Sequence, residues 1–247
     1  MKKFLKDWNI LINKLGGEMK LLNTEKNKTE NNRQYIYRVL KNNIMNLNLK
    51  PGEIVSEIEL SEFLNVSRTP VREAFVRLSE EKLLNVFPQK GSVVSKIDLN
   101  LVEEAVFLRK LCEKEMLEIA CKDIQSKSLI KTLEKNIEYQ KIIIKFKEDL
   151  HKFFELDNQF HTILFENYNK KNVWKTIKRL STHYDRLRLI DALEKTNVEA
   201  TLKQHIDIVK LIEEKDTQKI DSLITKHLLN FKEVINEYME KYPEYFS

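Results

Sequence analysis

The stretch Asn65-Val66-Ser67-Arg68-Thr69-Pro70-Val71-Arg72-Glu73 decides how the first part of this chain folds. Ser67 is a residue type that caps helix N-termini, and Pro70 falls in the first turn, where its missing N–H breaks no helical hydrogen bond. Arg68 and Arg72 are four residues apart, so both project from one face at the start of the predicted helix. A helix-turn-helix presents that end to DNA bases, whereas an ordinary solvated helix face carries arginines equally well.

The flanking sequence favours the DNA-reading interpretation. Apolar residues repeat at three and four positions on both sides of the stretch, which predicts two short helices with one shared core. They are Ile58, Leu60, Phe63, Leu64 and Val66 before it, and Val71, Ala74, Phe75 and Leu78 after it. Residues 83–87 and 92–95 are rich in β-forming residues and are joined by Pro88-Gln89-Lys90-Gly91, which predicts a hairpin. A helix-turn-helix followed by a hairpin is a winged helix, predicted here over residues 30–97.

The distribution of charge agrees with this domain. The formal net charge is +5, and residues 19–97 carry 13 Lys and Arg against 9 Asp and Glu, a surplus of four. Because DNA binding depends on neutralising phosphates, a positive surplus in the predicted reader is what the interpretation requires.

The second part of the chain is predicted to be entirely helical. All four glycines and three of the four prolines lie before residue 92, and the fourth is Pro243, so residues 92–242 contain neither helix breaker. Helical segments are predicted from Asp98 or Asn100 onward and then over residues 127–146, 148–168, 171–193, 197–214 and 217–240. The fold class is therefore mainly α, with a winged helix followed by a six- or seven-helix antiparallel bundle over residues 98–242.

Several protein classes are excluded by composition. No apolar run approaches the roughly 18 residues that span a bilayer, and the N-terminus lacks the apolar core of a secretory signal, so a cytoplasmic protein is expected. Cys112 and Cys121 are nine residues apart in one helical pattern and face opposite sides, which predicts free thiols. Residues 1–29 form an extension. Its Gly16-Gly17-Glu18 is what a ribosome-binding sequence gives when translated in frame, which suggests a start at Met19.

Four residues of the bundle are candidate metal ligands. Asp157 and His161 are one helical turn apart and point into the same volume, and His205 and His227 lie on the last two predicted helices. A carboxylate with neutral imidazoles suits Zn²⁺, Ni²⁺ or Mn²⁺. The spacing alone is also compatible with ordinary core histidines and a local ion pair.

The winged-helix motifs resemble those of the GntR family of bacterial transcription regulators. The resemblance covers residues 30–97 and is carried by Pro51-Gly52, Leu60-Ser61, Val66–Ala74, Leu78 and Gly91, in that order and spacing. It implies a DNA contact set consisting of Ser67, Arg68, Thr69, Arg72, Lys90 and Gly91. One departure concerns the helix before the reader, where Glu57 and Ile58 replace the arginine of some members.

The bundle resembles the effector-binding domain of the FadR branch of that family. Arg109 with Glu113, Asp157-x-x-Phe160-His161, Asn172, Asp185-Arg186-Leu187-Arg188, Gln204-His205 and His227 follow its pattern over residues 99–240. The resemblance implies that Asp157, His161, His205 and His227 hold a divalent metal ion. It also implies that a small carboxylate metabolite completes the coordination and pairs with Arg109, with His183 and Arg186 as further effector-binding candidates.

The sequence thus predicts a DNA-binding transcription regulator, a repressor that acts as a homodimer on operator DNA and is gated by a carboxylate metabolite. Two alternatives stay open. The cluster could sense the ion itself or serve a metal-free regulator of acyl ligands. It could also activate water in a metal-dependent hydrolase, although the sequence contains no HExxH motif, nucleophile elbow or phosphate loop.

Overall fold

The computed structural model describes residues 21, 25–87, 91–146 and 149–247. The possible start at Met19, most of the predicted N-terminal extension and the wing-tip residue Lys90 lie outside these ranges. Among the described helices, none is both long enough and apolar enough to cross a membrane.

The N-terminal part is a winged helix. Helix α1 (Asn32–Met45) begins with a capping box between Asn31 and Gln34 and is followed by α2 (Glu57–Phe63) and α3 (Arg68–Glu80). Strands β1 (Ile54–Val55), β2 (Leu84–Phe87) and β3 (Gly91–Val94) form an antiparallel sheet in the order β1-β3-β2, with Leu84 opposite Val94 and Phe87 opposite Gly91. Apolar side chains of all three helices and the sheet share one core, which confirms the core predicted for α2 and α3 except at Ile58 and Phe63, which are exposed.

The C-terminal part is a helical bundle. Its helices are α4 (Leu99–Lys122), α5 (Lys127–Phe146), α6 (Leu150–Asn167), α7 (Lys171–Leu180), α8 (Thr182–Leu193), α9 (Val198–Glu214), α10 (Ile220–Leu229) and α11 (Ile235–Lys241). Short 3₁₀ turns at Thr217–Lys219 and Asn230–Glu233 flank α10. The predicted mainly-α fold class is confirmed.

Two predicted helices are each divided. The segment over residues 171–193 breaks at Ser181, whose buried hydroxyl donates to the carbonyl of Ile177 and so competes with the helical hydrogen bonds there. The segment over residues 217–240 is interrupted by the 3₁₀ turn at Asn230–Glu233, where Asn230 bonds Gln204 on α9 through its side chain. Serine and asparagine are weak breakers, so neither interruption was apparent from periodicity.

The connection between the two parts is held by the C-terminal segment. Asp98 caps α4 by accepting from the amide of Asn100. Just before it, the amide of Ile97 donates to the carbonyl of Tyr245 over 2.7 Å, and Ile97 forms an isolated parallel bridge with Phe246. Tyr245 and Phe246 are buried in the bundle core, so the linker is packed against the bundle rather than extended.

Candidate functional site

The start of α3 is an exposed polar surface. Arg68, Thr69 and Arg72 are all exposed, and Ser67 occupies the N-cap position. The predicted N-cap position of Ser67 is confirmed, although its side chain makes no capping hydrogen bond. The Arg72 Nε donates to Glu57 Oε2 over 2.8 Å, so α2 holds this guanidinium in place.

The wing begins its return strand at Gly91. This residue has a φ of +95°, a conformation that glycine adopts without the steric penalty a Cβ would bring. The hairpin therefore needs glycine at this position for its backbone geometry. Gly91 and the start of α3 are the parts of the predicted DNA contact set that the structure describes.

The four predicted metal ligands meet in the centre of the bundle. Asp157 and His161 come from α6, His205 from α9 and His227 from α10, and one ligand atom from each lies within 4.8 Å of the others. The Oδ1 atom of Asp157 is 3.4 Å from His161 Nε2 and 3.3 Å from His205 Nε2. The Nε2 atoms of His161 and His227 are 3.2 Å apart.

Each imidazole is oriented by an oxygen at its other nitrogen. The Nδ1 atom of His161 is 2.8 Å from Glu113 Oε2, that of His205 is 2.9 Å from Gln140 Oε1, and that of His227 is 2.9 Å from Gln204 Oε1. When Nδ1–H donates to such an oxygen, Nε2 keeps its lone pair for a cation.

The side-chain amide of Gln140 is oriented, through Asn136, by the main-chain carbonyl of Leu156. Asn136 Nδ2 donates to the carbonyl of Leu156, so Asn136 Oδ1 accepts from Gln140 Nε2 over 2.7 Å. The Gln140 Oε1 atom is thereby left to accept from His205. This chain of hydrogen bonds fixes the His205 tautomer with its proton on Nδ1.

The cluster fits a divalent cation better than it fits a purely structural polar core. His205 Nε2 and Asp157 Oδ1 are buried without a hydrogen-bond partner, and two Nε2 acceptors face each other at 3.2 Å. Burial lowers the pKa of His205 and of His227, which keeps both rings neutral. Burial opposes ionisation of Asp157, but the Arg188 guanidinium and the neighbouring His161 and His205 together outweigh it and hold that pKa well below its usual range.

Arg109 and Glu113 form a buried ion pair beside the cluster. Arg109 Nε donates to Glu113 Oε1 over 2.6 Å, and both side chains are 1% exposed. The guanidinium lies over the rings of Trp174 and Tyr184, 5.5 and 5.3 Å from their centroids. Its Nη2 atom has no hydrogen-bond partner, which leaves a buried cationic donor next to the imidazoles.

Arg188 contacts the cluster, although it was not selected from the sequence as a site residue. Its Nη2 atom donates to Asp157 Oδ2, and its Nη1 atom donates to Asp185 Oδ1 over 2.9 Å. A cavity of about 30 Å³ next to the cluster is lined by both Asp157 and Arg188. That volume has room for a few water molecules and is small beside the pockets that usually bind metabolites.

The expectation that His183 and Arg186 line this cavity is wrong. His183 accepts from the amide of Asp98 through Nδ1 and lies 2.9 Å from the Lys82 carbonyl through Nε2. Arg186 Nη1 donates to the carbonyl of Ser95 over 2.6 Å. Residues two apart on a helix differ by about 200° in direction, so Arg186 points away from the side that Arg188 occupies.

His183 makes folding sensitive to acid. Burial first, and then the Arg186 charge, lower its pKa to about 4, whereas the unfolded ring titrates near 6.5. Below pH 6.5 the His183 ring is protonated in the unfolded chain, but in the folded chain it stays neutral until about pH 4. The free energy of unfolding therefore falls across that window as pH decreases. We expect His183 to account for a loss of about 3 kcal/mol between pH 6.5 and 4.

Urea unfolding at a series of pH values measures this effect. His183→Gln is the matched variant, because an amide can accept from Asp98 and donate to Lys82 without titrating. The slope of unfolding free energy against pH should be smaller in the variant, and an identical slope in both proteins would contradict the assignment.

Comparison with known proteins agrees with both parts of the fold. Residues 32–94 match the family described as bacterial regulatory proteins, gntR family, and residues 104–230 match the FCD domain. The chain is 35% identical over 224 residues to the HTH-type transcriptional repressor RspR of Escherichia coli K12, covering 91% of this chain and 97% of the relative. It is 31% identical over 133 residues to the gluconate operon transcriptional repressor of Bacillus subtilis, covering 53% and 54%.

A solved structure has the same arrangement of elements. Escherichia coli McbR/YncC superposes with a TM-score of 0.68 at 19% identity, covering 85% of this chain and 100% of that one. At that identity the likeness concerns the fold alone. Together with the two family matches and the full-length relative, it leads to one conclusion. The chain belongs to the GntR family of bacterial transcription regulators and carries an FCD domain behind its winged helix; it is a DNA-binding regulator and not an enzyme.

Proposed function

We propose that this regulator is a repressor whose operator binding is gated by a small carboxylate metabolite bound at a divalent metal ion. The observation that carries the proposal is the meeting of three imidazoles and one carboxylate in a buried volume, with two ligand atoms left without a partner. Asp157, His161, His205 and His227 would hold the ion. When bound, the ion would supply open coordination positions for an oxygen ligand. The names of RspR and of the gluconate operon regulator support the repressor assignment.

Arg109 supports the carboxylate part of the proposal. Its unpartnered Nη2 donor is buried beside the cluster, where an anionic group can be bound without competition from water. Glu113 already neutralises the charge of Arg109. The guanidinium therefore contributes one oriented, unpaired N–H donor to a ligand. Trp174 and Tyr184 flank the guanidinium and fix its plane.

Arg188 controls how much room the site has. The cavity of about 30 Å³ is too small for a metabolite of several heavy atoms. Arg188 lines it and is 12% exposed at the side chain, so it is the lining cation that can turn toward solvent. Effector binding would then exchange the contact between Arg188 and Asp157 for contacts to the ligand.

Metal analysis combined with operator binding tests the proposal. Purified protein, stripped with a chelator and reloaded with Zn²⁺, Ni²⁺ or Mn²⁺, should bind one ion per chain. Its affinity for an operator fragment should then change when mono- and dicarboxylates are added, by roughly 5–150-fold for an effector. The proposal fails if no ion binds, or if operator affinity is the same with every ligand shown to occupy the cavity.

An ion sensor is the second candidate, and the small size of the cavity favours it. Room for a few water molecules suffices for an ion but not for a metabolite of several heavy atoms. In that case Zn²⁺, Ni²⁺ or Mn²⁺ alone should change operator affinity, and carboxylates should add nothing. Titrating operator binding with the ion first and the metabolites second separates the two candidates.

We also propose that Ser67, Arg68, Thr69, Arg72, Lys90 and Gly91 form the DNA contact set. The start of α3 supports this, since its polar side chains are exposed at the end that enters a major groove. If Arg72 reads a base, Arg72→Ala should weaken operator binding by about 1–3 kcal/mol and leave the bundle folded. Fluorescence anisotropy with operator DNA and with random DNA measures the specific and the non-specific affinity.

Glu57→Gln is the matched control for Arg72. It removes the carboxylate that holds Arg72 at 2.8 Å and places no negative charge near DNA, so its operator affinity should equal or exceed that of the wild type. Unchanged operator affinity in Arg72→Ala would remove this residue from the contact set.

The proposal includes a homodimer, because a regulator with two-fold symmetry places two DNA-binding domains on one operator. On α4, Phe107 and Leu111 are one turn apart with 68% and 55% of their surface exposed, a large apolar area for one helix face. We expect Phe107→Glu combined with Leu111→Glu to shift the protein to monomers in sedimentation experiments. Ile124→Glu, at an exposed position on the loop after α4, should leave the dimer intact. Dimers that persist in the double variant would place the interface elsewhere.

A further inference from the structure

Helix α8 (Thr182–Leu193) contacts both the winged helix and the metal-ligand cluster. Its first turns bind main-chain groups at two places, the end of α3 and the end of β3. Thr182 Oγ1 donates to the Glu81 carbonyl at 3.3 Å, His183 Nε2 lies 2.9 Å from the Lys82 carbonyl, and Arg186 Nη1 donates to the Ser95 carbonyl at 2.6 Å. These contacts are buried and fix the far end of the DNA-reading helix.

Arg186 has an unusual environment for an arginine. Its side chain is fully buried, and within the described ranges no carboxylate pairs with it. Besides the Ser95 carbonyl it bonds only the Ser95 hydroxyl, at 3.2 Å, and its Nε has no partner. A buried, uncompensated guanidinium costs stability. Its contacts are concentrated on a single residue at the end of the winged helix, which suits an anchor between the two parts.

The opposite side of α8 faces the cluster. Arg188 donates to Asp157 Oδ2, while the other oxygen of the same carboxylate faces His161 and His205. Asp185 pairs with Arg188 on its own helix and with Lys178 on α7. The Asp157 carboxylate is therefore shared between the candidate metal site and α8.

We propose that α8 couples the cluster to the DNA-reading domain, with Arg188 as its contact to the cluster and His183 and Arg186 as positioning residues for the winged helix. When Asp157 exchanges its partners, the hydrogen bond between Asp157 and Arg188 changes as well. Because a helix moves as a rigid element, the contacts two to five residues away on its other side move with it. The inference rests on the proposed function, since it takes the cluster as the regulated site.

Amide hydrogen exchange with Zn²⁺ alone tests this coupling in the full chain. The informative amides are those of Ser95, bonded to the Leu83 carbonyl, and Asp98, bonded to His183 Nδ1. In the wild type, Zn²⁺ should change the exchange rates at these amides at least about fivefold. Arg186→Met should bind Zn²⁺ like the wild type, while the response at Ser95 and Asp98 falls below about twofold. Arg186→Lys, which keeps one donor, should give an intermediate response.

Arg179→Met is the matched control, because Arg179 is an exposed arginine on the neighbouring α7. It should respond to Zn²⁺ like the wild type. A wild-type response in Arg186→Met, or Zn²⁺ binding to the wild type without any change at Ser95 and Asp98, would overturn the coupling.

If the chain binds no Zn²⁺, the proposed metal site is contradicted. The coupling through α8 can still be tested without an ion. Arg188→Met, without any ion, breaks the contact to Asp157 directly. The coupling then requires a change of at least about fivefold at the Asp98 amide, which Arg188 does not contact. Exchange changes confined to the bundle would reject it.

Discussion

His205→Ala is expected to lower the affinity for a divalent ion about a thousandfold. Protein zinc sites with four ligands bind with roughly 10–16 kcal/mol, so the loss of one ligand removes about 4 kcal/mol. His205 is a suitable choice because Gln140 fixes its tautomer and leaves Nε2 facing Asp157. Isothermal titration with Zn²⁺, Ni²⁺ and Mn²⁺ measures the change, and inductively coupled plasma mass spectrometry gives the stoichiometry.

His151→Ala is the matched control for this prediction. His151 lies at the start of α6 outside the cluster, so ion binding should be unchanged in this variant. His205 also stacks on Phe160 with a centroid distance of 4.1 Å, and the alanine variant therefore loses packing as well as a ligand. Circular dichroism must show that the variant is folded. Unchanged stoichiometry and affinity in folded His205→Ala would show that the ion, if any, binds elsewhere.

Arg109→Met is expected to lower the free energy of unfolding by about 3–5 kcal/mol. Breaking a buried ion pair on one side leaves the other charge without compensation in a low-dielectric interior. Burial alone would raise the pKa of Glu113, and the Arg109 charge is the main influence that lowers it instead. Chemical denaturation with the metal removed by a chelator measures the loss independently of ion binding.

Two further variants make the Arg109 result specific. Arg109→Met combined with Glu113→Leu removes both charges and should recover part of the loss, because no charge then remains buried. Lys141→Met breaks an exposed pair with Glu138 and should change stability by less than about 1 kcal/mol. A similar loss in Arg109→Met and Lys141→Met would contradict the role assigned to the buried pair.

The winged helix could be predicted in detail because its determinants are local. The order of a polar turn, an early proline, apolar residues at helical spacing and a Pro/Gly hairpin specifies each element from its own residues. The tertiary contact between Arg72 and Glu57 was beyond that reasoning, although Glu57 had already been recognised as a departure from the family pattern.

The cluster was predictable by its ligands but not by their surroundings. Asp157 and His161 share a helix face, and this spacing can be read directly from the sequence. Gln140 could be recognised less directly from the sequence, because it is a polar residue in the apolar repeat of α5 between Ile137 and Ile143. In the structure it is completely buried. A polar residue at a core position requires a partner, and only the packing of α5 against α9 shows that the partner is His205.

The sequence by itself determined the two-part organisation and the family, because residue spacing and helix-breaking residues act over short distances. The set of four residues that meet in the bundle was implied by the family resemblance. The tertiary structure decided which arginine serves which site. The family resemblance favoured Arg186 as an effector-binding residue, yet Arg188 reaches Asp157 whereas Arg186 anchors Ser95. The direction of a side chain in a bundle depends on where its helix begins and how it is rotated against its neighbours. Here α8 begins directly after Ser181, and its rotation is seen only in the long-range contacts of Arg186 to Ser95 and of Arg188 to Asp157, which periodicity does not encode.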